Sequence, residues 1–224
     1  MKTHKLYLED SYQKMCEAIV LEVKKDQEGR QIIILDQTLF YAMSGGQPGD
    51  KGIMTGSSGE EQVVDTRYAS GEKVLIHHFM SEDTQFKIGD TVTCQINWDY
   101  RYKNMRLHSL LHLAGMAFEK MVGPQKCIGS NISDRGRMDY EFFEKIDLDI
   151  LAREVQGLID GDHEIRTYGE DGNEVRRVWE MKPLGTMPCG GTHPKSSGEI
   201  REFKLKRKGL SSQGQRIYCE LIDS

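Results

Sequence analysis

At Trp98 the hydrophobic period of the chain changes from two residues to about 3.6. Upstream lie "AIVLEVKK", "RQIIILD", "EQVVDTRYA", "KVLIHHFM" and "DTVTCQINW", short stretches rich in Val and Ile. Turn sequences such as "DQEGR", "GSSGEE" and "IGD" separate them, as strands require. In the last stretch Val92, Cys94, Ile96 and Trp98 alternate with Thr91, Thr93, Gln95 and Asn97, so Cys94 reads as a core residue. Downstream, "NMRLHSLLHLAGMAFEKMVG" places Met105, Leu107, Leu111, Ala114, Phe118 and Met121 close to helical spacing. A second helix, "DLDILAREVQGLID", starts at the N-cap Asp147 and carries Leu148, Leu151, Val155 and Leu158. Strands are expected at "GRMDYEFF", "HEIRTYG", "NEVRRVWEM", "EIREFKLKR" and "QRIYCELID", the last with Cys219 facing inward beside Ile217 and Leu221. The fold class expected is α+β. A small N-terminal antiparallel β-barrel occupies residues 1–97, and a two-layer domain of helices on an antiparallel sheet occupies residues 98–224.

Length and composition exclude several classes. The 224 residues, 38% hydrophobic and 29% charged, suit a globular chain with a sizeable core. No apolar run is long enough to cross a bilayer, and "MKTHKLYLEDSYQKM" lacks a signal-peptide core, so a cytoplasmic protein without membrane partners is expected. Five cysteines, none close in sequence, do not form a disulfide framework; beside a histidine, a cysteine in a reducing compartment reads as metal-binding or catalytic. The net charge of −5 excludes a uniformly basic coat. A local basic stretch, "FKLKRKGL", carries Lys204, Lys206, Arg207 and Lys208, which suit either a solvated edge strand or a phosphate-binding face.

Two pairs of metal-binding residue types stand far apart in the sequence. In "HSLLH" His108 and His112 are four residues apart on the first helix, so both imidazoles project from one face. In "CGGTH" Cys189 and His193 flank Gly190 and Gly191. One thiolate and three imidazoles make a set that zinc accepts in a tetrahedron. The alternative is a structural histidine pair and an unrelated glycine turn. The other histidines fit a ligand role less well. His77 and His78 are adjacent in a strand and point to opposite faces, and His4 and His163 lie near a terminus and a turn.

The segment "YAMSGGQPGDKG" is rich in glycine, but no helix pattern follows it and no GK[ST] ending closes it, so it is not a nucleotide loop. It is either a flexible connection in the barrel or a loop whose Ser44, Gln47 and Asp50 line a ligand pocket near the metal.

"GGQPGD", "HSLLH", and "CGGTH" followed by "SGEIREFKL" together resemble the editing domain of alanyl-tRNA synthetase and its freestanding relatives, the AlaX proteins. The similarity extends through "LYLEDSY", "INWDYRYKNMRLHSLLHL" and "IGSNISDRGRMDYEF", over essentially the whole chain. The glycine-rich segment marks the longer AlaX type. This resemblance implies a zinc-dependent esterase that deacylates tRNA(Ala) mischarged with serine or glycine, acting in trans, with zinc on His108, His112, Cys189 and His193. It further implies that Ser44, Gly45, Gly46, Gln47, Asp50, Ser130 and Asn131 surround the aminoacyl group. Gly190 and Gly191 would offer backbone N–H groups to an oxyanion. Lys204, Lys206, Arg207 and Lys208 would then contact tRNA phosphates. The chain departs from the family pattern at Ser109, where Thr is frequent, at Ala42 and Met43, and at Cys127, where Gln is frequent. Two further readings stay open: a zinc-stabilised tRNA-binding module without catalysis, and a hydrolase of another mischarged aminoacyl-tRNA. Four protein ligands also close a tetrahedron, so zinc either activates water after a ligand loosens or the site expands, or it only anchors substrate.

Overall fold

Short strands that are apolar on one face lose their exposed edges when the sheet closes on itself. In the computed structural model, which describes residues 2–69, 74–172, 175–211 and 214–222, the N-terminal half does this. Its strands are β1 (His4–Lys5), β2 (Met15–Lys25), β3 (Gln31–Leu35), β4 (Gln37–Thr38), β5 (Gly52–Gly56), β6 (Gly59–Tyr68), β7 (Ile76–Met80) and β8 (Thr91–Ile96). Six of them form a closed barrel in the order β2-β3-β7-β6-β5-β8, and β1 pairs parallel with β4. The alternation in β8 buries Val92, Cys94 and Ile96 in the barrel core. It ends there, because Trp98 already belongs to the following helix. In β3 every residue is buried: Ile33 and Leu35 face the barrel core, while Ile32 and Ile34 pack with Phe79 in a separate cluster. His78 is fully buried, with Nε2 2.8 Å from the Thr38 hydroxyl and Nδ1 3.0 Å from the Ile33 carbonyl. An acceptor-only carbonyl requires Nδ1 to carry the proton, and burial lowers the His78 pKa to about 4.

The helix α1 spans Trp98–Val122 and begins earlier than its apolar spacing suggests. The side chain of Asn97 accepts the Tyr100 N–H at 3.0 Å, the bond of an N-cap, and so starts a helix whose first turn is aromatic and charged. From Asn104 to Gly115 the helix is buried on all sides, which is where an all-round buried helix belongs, inside a core.

After α1 come β9 (Cys127–Ile132), β10 (Gly136–Tyr140), α2 (Leu148–Asp160), β11 (Arg166–Gly169), β12 (Arg177–Met181), β13 (Gly185–Pro188), β14 (Phe203–Gly209) and β15 (Gln215–Leu221). They form two antiparallel sheets, β14-β15-β10-β9 and β11-β12-β13. Asp147 caps α2, accepting from the backbone of Asp149 and Ile150, and Leu151, Val155 and Ile159 are its buried face. These join Leu107, Phe118, Trp179 and Ile217 in one core. Strand β9 carries "CIGSNI", and β5 and β13 also arise where no strand is evident from composition. Parts of three expected strands, at Lys73, at Asn173 and Glu174, and at Asp223, lie outside the described residues.

Contacts divide the chain into two units, Met1–Ser44 with Pro48–Tyr102 and Gly45–Gln47 with Lys103–Ser224. The division falls inside α1, five residues beyond the boundary at 97 read from the sequence. It also assigns three residues of the glycine-rich loop to the second unit.

Candidate metal centre

The side chains of His108, His112, Cys189 and His193 converge in the second unit, with one ligand atom from each lying within 4.8 Å of the others. The two histidines of α1 stand one turn apart with ring centroids 4.7 Å from each other. The hairpin of β12 and β13 delivers the other two: the Cys189 N–H bonds the Arg177 carbonyl at 2.9 Å, and the chain turns back into the cluster. Cys189 Sγ then lies 3.5 Å from His108 Nε2 and 3.3 Å from His193 Nε2. The three histidines are buried and Cys189 is half-buried.

Two of the rings have a hydrogen-bond partner behind them, and for His108 that partner decides which nitrogen is available. The backbone N–H of Thr192 can only donate, and it bonds Gln47 Oε1 at 3.0 Å. That fixes the orientation of the Gln47 amide, whose Nε2 donates to the Thr192 hydroxyl at 2.7 Å. The same Oε1 lies 2.8 Å from His108 Nδ1, so Nδ1 is the protonated nitrogen and Nε2 keeps its lone pair toward the cluster. His193 Nδ1 lies 2.9 Å from the Ser109 hydroxyl. His112 packs edge-on against the buried ring of Trp179 at 5.0 Å, and its Nδ1 has no hydrogen-bond partner among the described residues.

Burial also sets the charge state. It lowers His108 to about 4, and it lowers His112 and His193 well below their ordinary value with help from their neighbours. Neutral imidazoles are the form that binds metal. Burial pushes the Cys189 thiol up to about 11, against the Gly191 N–H, which donates to Sγ at 3.4 Å. A thiol in this setting becomes a thiolate when a cation sits beside it. Three neutral imidazoles and one thiol, buried at contact distance without an ion pair among them, fit a zinc-type ion.

Two family models match parts of the chain. Residues 6–100 match class II (A) tRNA synthetases, and residues 177–218 match the threonyl and alanyl tRNA synthetase second additional domain. The chain is 35% identical over 226 residues to the alanyl-tRNA editing protein AlaX-M of Pyrococcus horikoshii, with 96% of both chains covered. The AlaX-M of Methanosarcina barkeri is 31% identical over 252 residues, covering 99% of this chain and all of that one. The chain belongs to the AlaX family. The alanine–tRNA ligase of Idiomarina loihiensis is also 30% identical to the AlaX chain, but over only 26% of the ligase.

Within the AlaX chain, the residues expected to surround an aminoacyl group stand in different settings. Asp50 is 1% exposed and is not available to a ligand: it pairs with the buried Arg101 and accepts the Tyr41 N–H at 2.7 Å. Arg101 also donates to the Ser11 and Leu39 carbonyls, so this is a structural knot of the first unit. Ser44 is held by the Tyr41 hydroxyl at 2.7 Å. Gln47 is the clamp on His108. Gly45 and Gly46 have positive φ, and a Cβ on Gly46 would stand 2.9 Å from the Ser130 carbonyl. The Gly46 carbonyl accepts the Ile132 N–H at 2.8 Å, so the loop docks against β9. Ser130 and Asn131 are exposed there, and as strand neighbours they point to opposite faces.

The two glycines of "CGGTH" are set apart by their surroundings. Neither has a positive φ among the described residues. A Cβ on Gly191 would collide with the His108 ring, so glycine is required there by close approach. The Gly191 N–H is already engaged by Cys189. Thr192 and Trp179 were not singled out from the sequence, and Ser109 stood out only as a departure from the family pattern; nothing in a lone serine marks it as the support of a histidine 84 residues away. Of the basic stretch, Lys204 and Lys206 are paired with Glu220 at 3.2 and 3.0 Å. His4 pairs with Glu9, and no described helix is long and apolar enough to cross a membrane.

Proposed function

We propose that this AlaX protein deacylates mischarged tRNA(Ala) in trans, with Ser-tRNA(Ala) the favoured substrate and Gly-tRNA(Ala) a second one. His108, His112, Cys189 and His193 hold a zinc ion in this reading. The observation that carries it is the convergence of these four donors, with the His108 lone pair aimed inward by Gln47. Zinc, when bound, supplies Lewis acidity to an ester carbonyl and lowers the pKa of a water to about 7. The protein's own groups do the rest. Gln47 and Ser109 orient two of the rings, and Trp179 shields a third from solvent. Cys189 is the least buried donor and marks the side on which the cluster meets solvent.

An alanine pocket rejects serine and glycine only modestly, which is why a second site is useful. Such a site gains discrimination by hydrogen-bonding the serine hydroxyl. With the Gln47 amide committed to His108 and Thr192, and Ser44 to Tyr41, the exposed Ser130 and Asn131 beside Gly46 remain, and because they point to opposite faces one of the two takes this task. The Gly190 N–H stays a candidate for the oxyanion, whereas that of Gly191 does not. The AlaX-M name of two relatives, and the match to a synthetase additional domain, support tRNA(Ala) as the carrier.

A second reading, a zinc-stabilised tRNA-binding module, draws on one observation: all four donors come from the protein, as in closed structural sites. Deacylation of Ser-, Gly- and Ala-tRNA(Ala), with and without a chelator, separates the two. Trans-editing requires release of serine and sparing of alanine; a binding module releases neither.

A further inference from the structure

One face of the β14-β15-β10-β9 sheet carries a charge opposite to that of the molecule. Side chains directly paired across an antiparallel sheet share a face. Lys206 pairs with Tyr218, Tyr218 with Arg137, and Arg137 with Asn131, forming one row across all four strands. On either side of it run Lys204 opposite Glu220, and Lys208 opposite Arg216 and Asp139. Arg135 joins the first of these flanking rows through Glu220 at 3.1 Å. The face thus holds six cations and two carboxylates, on a chain whose net charge is −5. The reverse face, with Ile217, Cys219, Met138 and Ile132, is core. Arg207 pairs with Ile217 and so lies on that other side.

Two features suit this face to a polyanion. The Tyr218 ring lies under the Arg135 guanidinium at 3.8 Å and beside that of Arg216 at 5.7 Å, a platform of ring and guanidinium planes. The two carboxylates are shared among several cations, Glu220 by Lys204, Lys206 and Arg135, and Asp139 by Arg137 and Arg216. They hold long side chains in place without neutralising them. The central row ends at Asn131 on β9, the strand against which Gly46 docks, next to the Gln47 that clamps His108.

We propose that this sheet face receives the phosphodiester backbone of the tRNA acceptor arm, with Lys206, Lys208 and Arg137 as phosphate contacts, so that the aminoacyl end is led across β9 to the metal centre. The proposal rests on the function proposed above. Phosphate contacts release counterions, so their loss weakens binding and flattens its salt dependence.

The test measures tRNA(Ala) affinity for the zinc-loaded protein across a salt series. Lys206→Ala, Lys208→Ala and Arg137→Ala combined should weaken binding about tenfold or more at physiological salt, lowering the salt slope by about one unit per contact. Arg153→Ala on α2 should leave both unchanged. Glu220→Gln, a single milder change, should tighten binding severalfold. Cleavage of a serine ester of adenosine, which has no phosphate backbone, should be the same in all variants. Unchanged tRNA affinity in both the triple variant and Glu220→Gln would overturn the proposal. So would loss of affinity for polyglutamate with tRNA binding intact, which would indicate an acidic protein partner. If the wild type cleaves neither ester, the hydrolase reading fails, and the affinity series still decides whether the face binds RNA.

Discussion

The carbonyl oxygen of the Gln47 side chain lies 2.8 Å from His108 Nδ1, joining a glycine-rich loop to a helix 61 residues further on. Because Thr192 fixes the direction of that amide, the contact selects the His108 tautomer that leaves Nε2 bare. Partners behind a ligating histidine tune metal affinity by about 10–100-fold. Gln47→Leu should therefore weaken zinc binding by that order in competition with a chelator, beyond the loss of stability that the metal-free protein shows when the Thr192 N–H and His108 Nδ1 lose their partner. Gln47→Glu, which still offers His108 an oxygen, should retain more of the affinity. Equal affinity in wild type and Gln47→Leu would remove the clamp from the account.

Gly191 is needed for space. A Cβ there would collide with the His108 ring, and the ring cannot retreat without leaving the cluster. Gly191→Ala should lower metal content in protein purified without chelator, and Gly190→Ala, with only ordinary contacts around it, should not. The reverse order would contradict this division of roles.

Gly46 combines a φ of 83° with a close approach to Ser130. Gly46→Val should unseat the loop from β9 and reduce deacylation through the catalytic rate, with Gln47 and His108 less well aligned. If Gly46→Val leaves deacylation by folded protein unchanged, the loop has no part in the site.

Asp50 gives a contrasting result. Removing one partner of a buried ion pair costs about 3–5 kcal/mol, because the other charge stays buried. Asp50→Ala should lower the denaturation midpoint sharply through Arg101, yet leave zinc stoichiometry in the folded fraction unchanged. A stable Asp50→Ala protein with impaired substrate binding would restore the pocket role read from the sequence.

His78 supplies a pH dependence away from the metal. Its folded pKa of about 4 lies below the ordinary 6.5, so the unfolded chain takes up a proton first as pH falls. Stability from this residue is complete above about 6.5 and is lost progressively toward 4. Melting temperatures between pH 7 and pH 5 should fall less steeply in His78→Phe than in wild type. Parallel slopes would show that His78 protonation does not drive the acid limb.

The sequence reveals what repeats locally and hides what closes over distance. The change of period at Trp98 exposes a barrel followed by an α+β layer, and the i,i+4 spacings expose two donor pairs, because both are short-range patterns. Strand β5 escapes notice because Gly52 and Gly56 bound it within a glycine-rich stretch. The start of α1 escapes because Asn97, not an apolar repeat, begins it. Asp50 and Gln47 look alike as polar loop residues, and only their partners, Arg101 and His108, separate a structural knot from a metal support. The lysines of β14 show charge in sequence, but the face they share with Arg137 and Arg216 depends on the register of three strands.

The most direct test of the whole account is to measure bound zinc and serine release from Ser-tRNA(Ala) on the same preparations of wild type, His108→Ala and Cys189→Ala. The account predicts about one zinc per wild-type chain, with chelation abolishing serine release and added zinc restoring it. Both variants should lose metal and activity together. Full zinc occupancy in the variants, or serine release that persists in stripped protein, would contradict it.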